Sequence, residues 1–146
     1  MKINNKILSA HQPNFLPWFG YFEKIIKSNT FVFSDDVIFV KQQLSNRINI
    51  SNDNNKQFII TLPINRTKGK RLYEKFLSAD AKLVKKSILK IKENYKKFKF
   101  SNEVNEICDL ILDFYDKGLS LSAININIIK HICKNLDINN NFYLGS

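Results

Sequence analysis

Residues 10–22 have the sequence AHQPNFLPWFGYF, and this segment decides how the first part of the chain folds. The apolar run at residues 6–10 predicts a short strand before it, and residues 21–27 predict the start of a helix after it. Pro13 and Pro17 fix φ and remove two backbone donors, so the segment forms a shaped loop. We expect ligand groups here, because strand ends and helix N-terminal N–H groups converge at such junctions in α/β folds.

A second strand is predicted at residues 30–34, which are β-branched and aromatic. With the first strand and the helix between them, it completes a βαβ unit, for which a parallel pair with a right-handed crossover is expected. The fold class is therefore α/β, with a Rossmann-like sheet that starts from this unit. Asp35 and Asp36 follow the second strand directly and are expected at the same edge of the sheet as His11.

A β-hairpin is predicted next, from residues 47–51 and 56–62 on either side of the turn-rich tetrad 52–55. Residues 64–78, which include Lys68, Gly69, Lys70 and Arg71, are expected to form a basic loop.

The second half of the chain is predicted to be helical. Apolar residues recur at helical spacing over three segments, and a closing strand follows near residues 142–144. Ser101 and Gly118 are expected to cap the second of these helices, and Ser120 or Ser122 the third. The three predicted helices are 82–97, 102–117 and 122–135.

Composition favours one folded domain over residues 1–146. The chain has 44% hydrophobic and 25% charged residues, which is typical of globular proteins. No signal peptide and no apolar run of membrane-spanning length is visible, so we expect a cytoplasmic protein without a membrane span. Cys108 and Cys133 lack metal-ligand spacing and are expected to be reduced, buried thiols.

The net charge of +10 is local, because residues 61–100 carry thirteen basic and three acidic side chains. The lysines of the first predicted C-terminal helix are expected to form a solvated face, and nonspecific polyanion binding is the alternative. No helix-turn-helix, zinc-finger or RNA-binding signature accompanies the charge, so nucleic acid is not the expected partner.

Four segments of the sequence resemble the WbqC-like family in order and spacing: residues 11–24, 31–37, 46–48 and 61–64. The resemblance implies a role in bacterial surface-polysaccharide (O-antigen) biosynthesis, but it implies no particular reaction. Because family members are typically longer, it also implies that this chain is the N-terminal part of a longer family fold.

The expected catalytic residues are His11, Asp35 and Asp36. His11 can act as base, as acid or as a donor to phosphate, and the structural alternative is a backbone hydrogen bond within its loop. One aspartate is expected to face the cleft and to bind a sugar hydroxyl or Mg²⁺ with a phosphorylated substrate, whereas the other caps a turn. No cofactor is otherwise indicated.

The expected substrate-binding residues share amide, aromatic or cationic side chains: Gln12, Asn14, Trp18, Asn46, Arg47 and Lys70. Amides can orient a sugar or nucleotide, Trp18 can stack on one, and Arg47 offers a fork for phosphate or carboxylate. The competing uses are a stabilised loop for the amides, core packing for Trp18 and a structural ion pair for Arg47. Lys70 is expected to close on a phosphorylated substrate.

The sequence therefore predicts a transferase-type enzyme that acts on a sugar nucleotide or transfers a group to an amino sugar. Its partner would be a small molecule, either a sugar nucleotide or an acyl or aminoacyl donor. A non-catalytic binding or scaffold protein of the same pathway is the alternative.

Overall fold

The computed structural model describes residues 6–52, 54–65 and 69–146, and its elements confirm a mixed α/β fold. In chain order they are β1 (Leu8–His11), α1 (Phe19–Ile26), β2 (Thr30–Phe33), β3 (Arg47–Ser51), β4 (Gln57–Thr61), α2 (Ala81–Tyr95), α3 (Ser101–Asp116), α4 (Leu121–Asn135) and β5 (Asn141–Leu144).

The parallel sheet has the order β1-β2-β5, so the first and the last strand of the chain flank the second. Leu8 pairs with Thr30 in the first ladder, and Thr30 pairs with Asn141 in the second. The predicted parallel βαβ unit and the closing strand are therefore both confirmed. Between β1 and β2, α1 buries Tyr21, Phe22 and Ile25 in a hydrophobic cluster that also contains Phe31 and Phe33 of β2.

The predicted hairpin is confirmed as an antiparallel pair in which Arg47 lies opposite Thr61. Ile48 and Ile50 of β3 are buried, whereas Asn49 and Ser51 are exposed, which is the alternation that a half-buried strand requires. Asp53, from the predicted turn, lies outside the described residues.

The segment 64–78, predicted to be a basic loop, contains some regular structure among its described residues. It contains a short 3₁₀ helix, Leu72–Glu74, and two antiparallel bridges, Ile38 with Arg71 and Ile64 with Leu77. These bridges join residues far apart in sequence, so local patterns could not reveal them. Lys68 lies outside the described residues.

The three C-terminal helices occupy the predicted segments within one to two residues. The Ser120 side chain accepts from the Ala123 amide at 3.3 Å, which confirms one of the two predicted caps of α4. The predicted cap of α3 is wrong by one residue, because the N-cap is Phe100 and Ser101 already lies in the helix. Gly118 follows the helix C-cap with φ +72°, a conformation that glycine adopts without steric cost.

The helix α4 is shared by two hydrophobic clusters. The larger cluster joins the hairpin to α2, α3 and α4, and the smaller joins α1 and the parallel sheet to α4. From α4, Ile124 and Ile128 enter the larger cluster, whereas Ile126 and Ile129 enter the smaller. Its apolar surface therefore covers two sides, as expected for a buried helix. None of the described helices has the length and apolar character needed to cross a membrane.

Asn125 lies between these two apolar sides of α4 and is 1% exposed. Its side-chain Nδ2 donates to the Pro13 carbonyl at 2.9 Å and to the Ser45 carbonyl at 2.8 Å. One amide group therefore satisfies two carbonyl groups, one in the loop after β1 and one in the segment before β3. Buried carbonyls need such partners, because leaving one unpaired costs about 1–3 kcal/mol.

The substitution Asn125→Ala is expected to lower the free energy of unfolding by about 2–5 kcal/mol, since it leaves both carbonyls without this donor. Urea denaturation followed by circular dichroism measures the effect. The matched control is Asn127→Ala, because Asn127 is exposed on the same helix and, within the described part of the chain, bonds only to the Ala123 carbonyl. Its expected cost is within about 0.5 kcal/mol. Equal losses in the two variants would contradict the role assigned to Asn125.

Candidate functional site

The carboxyl edge of the parallel sheet brings together residues from both ends of the chain. His11 lies opposite Phe33, and Phe33 lies opposite Leu144. The Ser34 amide donates to the His11 carbonyl at 2.9 Å, and the Gly145 amide donates to the Phe33 carbonyl at 2.9 Å. The residues that follow these strands therefore share one edge, which is where parallel α/β sheets bind ligands.

A hydrogen bond within its own loop orients the His11 ring and selects its tautomer. Its Nδ1 lies 3.0 Å from the Gln12 carbonyl oxygen. Because a carbonyl only accepts hydrogen bonds, Nδ1 carries the proton and Nε2 of the neutral ring is the acceptor. No hydrogen bond to Nε2 comes from the described part of the chain. The ring is half-buried, and its free nitrogen can take part in proton transfer.

Two aromatic rings flank His11. Its ring centroid lies 4.9 Å from that of Tyr21 and 6.2 Å from that of Trp18, both in edge-to-face geometry. The Tyr21 hydroxyl also donates to the Gln12 carbonyl, at 3.1 Å. Burial raises the pKa of Tyr21, with the nearby Cys133 as a smaller cause, so this hydroxyl remains a donor at neutral pH.

The Gln12 main chain therefore has a clear structural part in the site, since its carbonyl accepts from both Tyr21 and His11. No described residue makes a hydrogen bond to the Gln12 side chain, which is half-buried. This amide is available to a ligand.

The two adjacent aspartates have different environments. Asp35 is 3% exposed, and its carboxylate oxygens accept from the Ser146 amide and from the Ser146 hydroxyl, each at 3.0 Å. The Asp36 side chain is 46% exposed and lies 3.9 Å from the Arg71 guanidinium. Arg71 also donates to the Asp36 carbonyl. Asp36 and Arg71 thus form the solvent-facing charged part of this edge.

A magnesium ligand set does not assemble around these aspartates within the described residues. Nowhere in residues 6–52, 54–65 and 69–146 do three His, Cys, Asp or Glu side chains converge as metal ligands would. The exposed carboxylate of Asp36 could still share a cation with substrate phosphates, the mode in which Mg²⁺ commonly binds.

Asn14 and Trp18 line a cavity of about 500 Å³ behind the loop, which we call the Asn14 cavity. Asn14 is 1% exposed, and neither its Nδ2 nor its Oδ1 has a hydrogen-bond partner among the described residues. Trp18 is 53% exposed, so it lies at the open end of the cavity. Leu16 also lines it and has φ +43°, a strained value for a residue other than glycine.

Asn46, Arg47 and Lys70 have contacts elsewhere in the fold. The Asn46 amide donates to the Leu62 carbonyl at 3.0 Å, and Arg47 Nε donates to the Thr61 hydroxyl at 3.2 Å. Both contacts stabilise the hairpin. The Lys70 carbonyl accepts from the Phe39 amide at 2.8 Å, and its side chain is exposed. Substrate binding by these three residues stays a prediction.

Sequence reasoning missed Tyr21, Asn125 and Ser146 as parts of the site. Asn125 left a signal, because an asparagine inside the run ININII (residues 124–129) interrupts an otherwise apolar helix face. Tyr21 and Ser146 left none, since their contacts with Gln12 and Asp35 depend on how the chain folds back on itself.

The two cysteines are free and buried, as predicted. Burial raises the pKa of each thiol from an ordinary value of 9.0 to about 11. The nucleophilic species is the thiolate, so neither cysteine is suited to act as a nucleophile at neutral pH. The Cys108 side chain lines the Asn14 cavity.

Comparison with protein-family models matched the WbqC-like protein family over residues 12–146, which is nearly the whole chain. The chain therefore belongs to this family. Neither the search among curated proteins nor the search among solved structures returned a match.

The substitution Asp35→Ala is expected to destabilise the protein by about 1.5–3 kcal/mol, the range for hydrogen bonds to a charged group. Asp36→Ala removes only a long, exposed ion pair, and its expected cost is below about 1 kcal/mol. Urea denaturation of both variants gives the comparison. A larger loss for Asp36→Ala than for Asp35→Ala would show that the two environments are assigned wrongly.

Both thiols are expected to resist alkylation by iodoacetamide in the native protein at pH 8 and to react after unfolding in urea. Because the folded-state pKa values lie above the unfolded ones, the folded state holds more protons between about pH 9 and pH 11. The free energy of unfolding should therefore fall as the pH rises through this range. Mass spectrometry of the native protein after iodoacetamide treatment tests the expected resistance to alkylation, and rapid native labelling of either thiol would refute it.

Proposed function

We propose that this member of the WbqC-like protein family is a cytoplasmic enzyme of bacterial surface-polysaccharide (O-antigen) biosynthesis. Its substrate would be a sugar nucleotide, or an amino sugar to which it transfers a group. The observation that carries the proposal is His11 Nε2, which receives no hydrogen bond from the described residues although the ring lies half-buried at the carboxyl edge of the sheet. The bond from Nδ1 to the Gln12 carbonyl at 3.0 Å is the one that a purely structural role would also make. The family association supports the pathway.

In this proposal His11 moves the proton. Its Nε2 accepts the proton of the attacking hydroxyl or amino group, and the resulting imidazolium then donates it to the leaving group. The bond from Nδ1 to the Gln12 carbonyl stabilises that imidazolium and keeps the ring oriented. The half-buried setting of the ring limits competition from bulk water.

The charged pair at the edge would bind the substrate. Arg71 offers N–H donors to a phosphate, and Asp36 accepts from a sugar hydroxyl or shares a cation with the phosphates. Asp35 has a structural role here, because its carboxylate is buried and accepts two hydrogen bonds from Ser146. Trp18, exposed beside His11, provides a face on which a sugar ring can stack.

A non-catalytic binding protein of the same pathway is the second candidate. Its support is the Asp35 carboxylate, which is 3% exposed and accepts two hydrogen bonds from Ser146, so it is poorly placed to exchange protons with a substrate. This alternative predicts that sugar nucleotides bind at the edge without being turned over.

The test is turnover of UDP- and dTDP-linked sugars and amino sugars, assayed with acyl and aminoacyl donors and with and without Mg²⁺. Loss of a general acid–base is expected to lower the rate about 10²- to 10⁴-fold in His11→Ala. His131→Ala is the matched control, because His131 lies on α4 and pairs with Glu106 at 3.2 Å.

Turnover retained in His131→Ala and lost in His11→Ala, with both variants folded, is the expected result. Equal turnover in the two variants would refute the role of His11. Saturable binding of a substrate without turnover by the wild type would favour the binding protein.

A further inference from the structure

We infer that the Asn14 cavity binds an uncharged acyl group, a hydrocarbon chain that ends in a carbonyl with a neighbouring N–H. The cavity has a volume of about 500 Å³ and lies between the loop after β1, the hairpin, α2 and α3. Its chemistry differs from that of the charged edge formed by Asp36 and Arg71.

The walls of the cavity are apolar. Ile48 and Ile50 come from the hairpin, Ile91 from α2, and Val104 and Ile107 from α3. None of the described residues that line it carries a charge. A hydrocarbon gains by leaving water in such a site, whereas a phosphate, a carboxylate or an ammonium group would lose its hydration without receiving a counter-charge.

Asn14 specifies the polar part of the ligand. Its amide offers one acceptor and two donors, and both heavy atoms are buried without a partner among the described residues. A buried amide left unpaired opposes folding, and sites that violate packing rules in this way are often functional. A ligand carboxamide matches it with two hydrogen bonds, since it presents one donor and one acceptor side by side.

Trp18 connects the cavity to the proposed catalytic histidine. It lines the cavity, and its ring centroid lies 6.2 Å from that of His11. An acyl chain in the cavity would therefore have its polar end near the loop that carries His11. The transfer step rests on the proposed function: the amino nitrogen of the sugar attacks the carbonyl carbon of an acyl thioester whose chain lies in the cavity. The C–N bond forms, the C–S bond breaks, and His11 Nε2 passes the proton of the amine to the departing thiolate.

A nucleobase could also pair with Asn14, but the observations favour the acyl group. Branched aliphatic side chains are the largest group in the walls, and a nucleotide would bring ribose and phosphate to a site where no described lining residue is charged. Uridine therefore serves as the competing probe in the experiment.

The experiment is a fluorescence titration, because Trp18 is the one tryptophan of the chain. Octanamide is the probe, and octanoate and octylammonium are its charged analogues of equal chain length. We expect saturable binding of octanamide, at least about tenfold weaker binding of either analogue, and no competition by uridine. Saturation by uridine but not by octanamide would overturn the inference in favour of a nucleobase site.

Three variants locate the binding. Asn14→Leu keeps a similar volume and is expected to weaken octanamide binding about tenfold while raising the Tm of the free protein by about 2–5 °C. Ile107→Phe fills the cavity and should abolish binding. Its matched control is Leu89→Phe, since Leu89 is exposed on α2 and does not line the cavity.

Unchanged octanamide affinity in folded Asn14→Leu, or no saturable binding by the wild type, would overturn the inference. The outcome is separable from that of the proposed function. Octanamide binding without turnover of any sugar nucleotide would refute the enzyme and leave the acyl site standing. Turnover without octanamide binding would refute the acyl site alone.

Discussion

Two hydrogen bonds from Asn125 fix the position of the loop between β1 and α1. Through them α4 holds the carbonyl groups of Pro13 and Ser45, at 2.9 and 2.8 Å, and so joins the loop after β1 to the segment before the hairpin. Pro13 and Pro17 have no backbone N–H, so the loop can form fewer internal backbone hydrogen bonds. Its shape is therefore imposed from outside, by a helix that lies more than a hundred residues later in the chain.

That imposed shape explains why the features with functional potential cluster in one place. Phe15 donates its amide to the Leu44 carbonyl at 2.8 Å, which fixes the loop against the segment before the hairpin. Asn14 lies between these anchors, buried, and its amide has no partner among the described residues, whereas Leu16, just after them, has a positive φ. Strain and unsatisfied polar groups persist only where the surrounding structure over-determines them. The loop thus places His11 beside Trp18, and Trp18 also lines the Asn14 cavity.

Local patterns in the sequence were enough to predict the βαβ unit, the hairpin and the three later helices, because period-2 and period-3.6 spacing of apolar residues directly reflects burial. Contacts between distant segments were not predictable in this way. An antiparallel bridge joins Ile38 to Arg71 in a segment predicted to be a loop. Ser146 donates two hydrogen bonds to the carboxylate of Asp35. His11, Asp35 and Asp36 were expected at one edge from strand order alone. Their different environments depend on residues that only the folded chain brings near, and the cavity behind Asn14 has no signature in sequence at all.

We propose that ligands bind at the loop between β1 and α1. NMR is suited to detect such binding, because the chain has two histidines and one tryptophan and so gives few ring signals to assign. The histidine ring and indole N–H resonances would be followed during titration with UDP- and dTDP-linked amino sugars in the presence of Mg²⁺. We expect the signals of His11 and Trp18 to shift together and saturate while that of His131 stays in place. Shifts confined to His131, or to the lysine-rich surface of α2, would contradict the proposal.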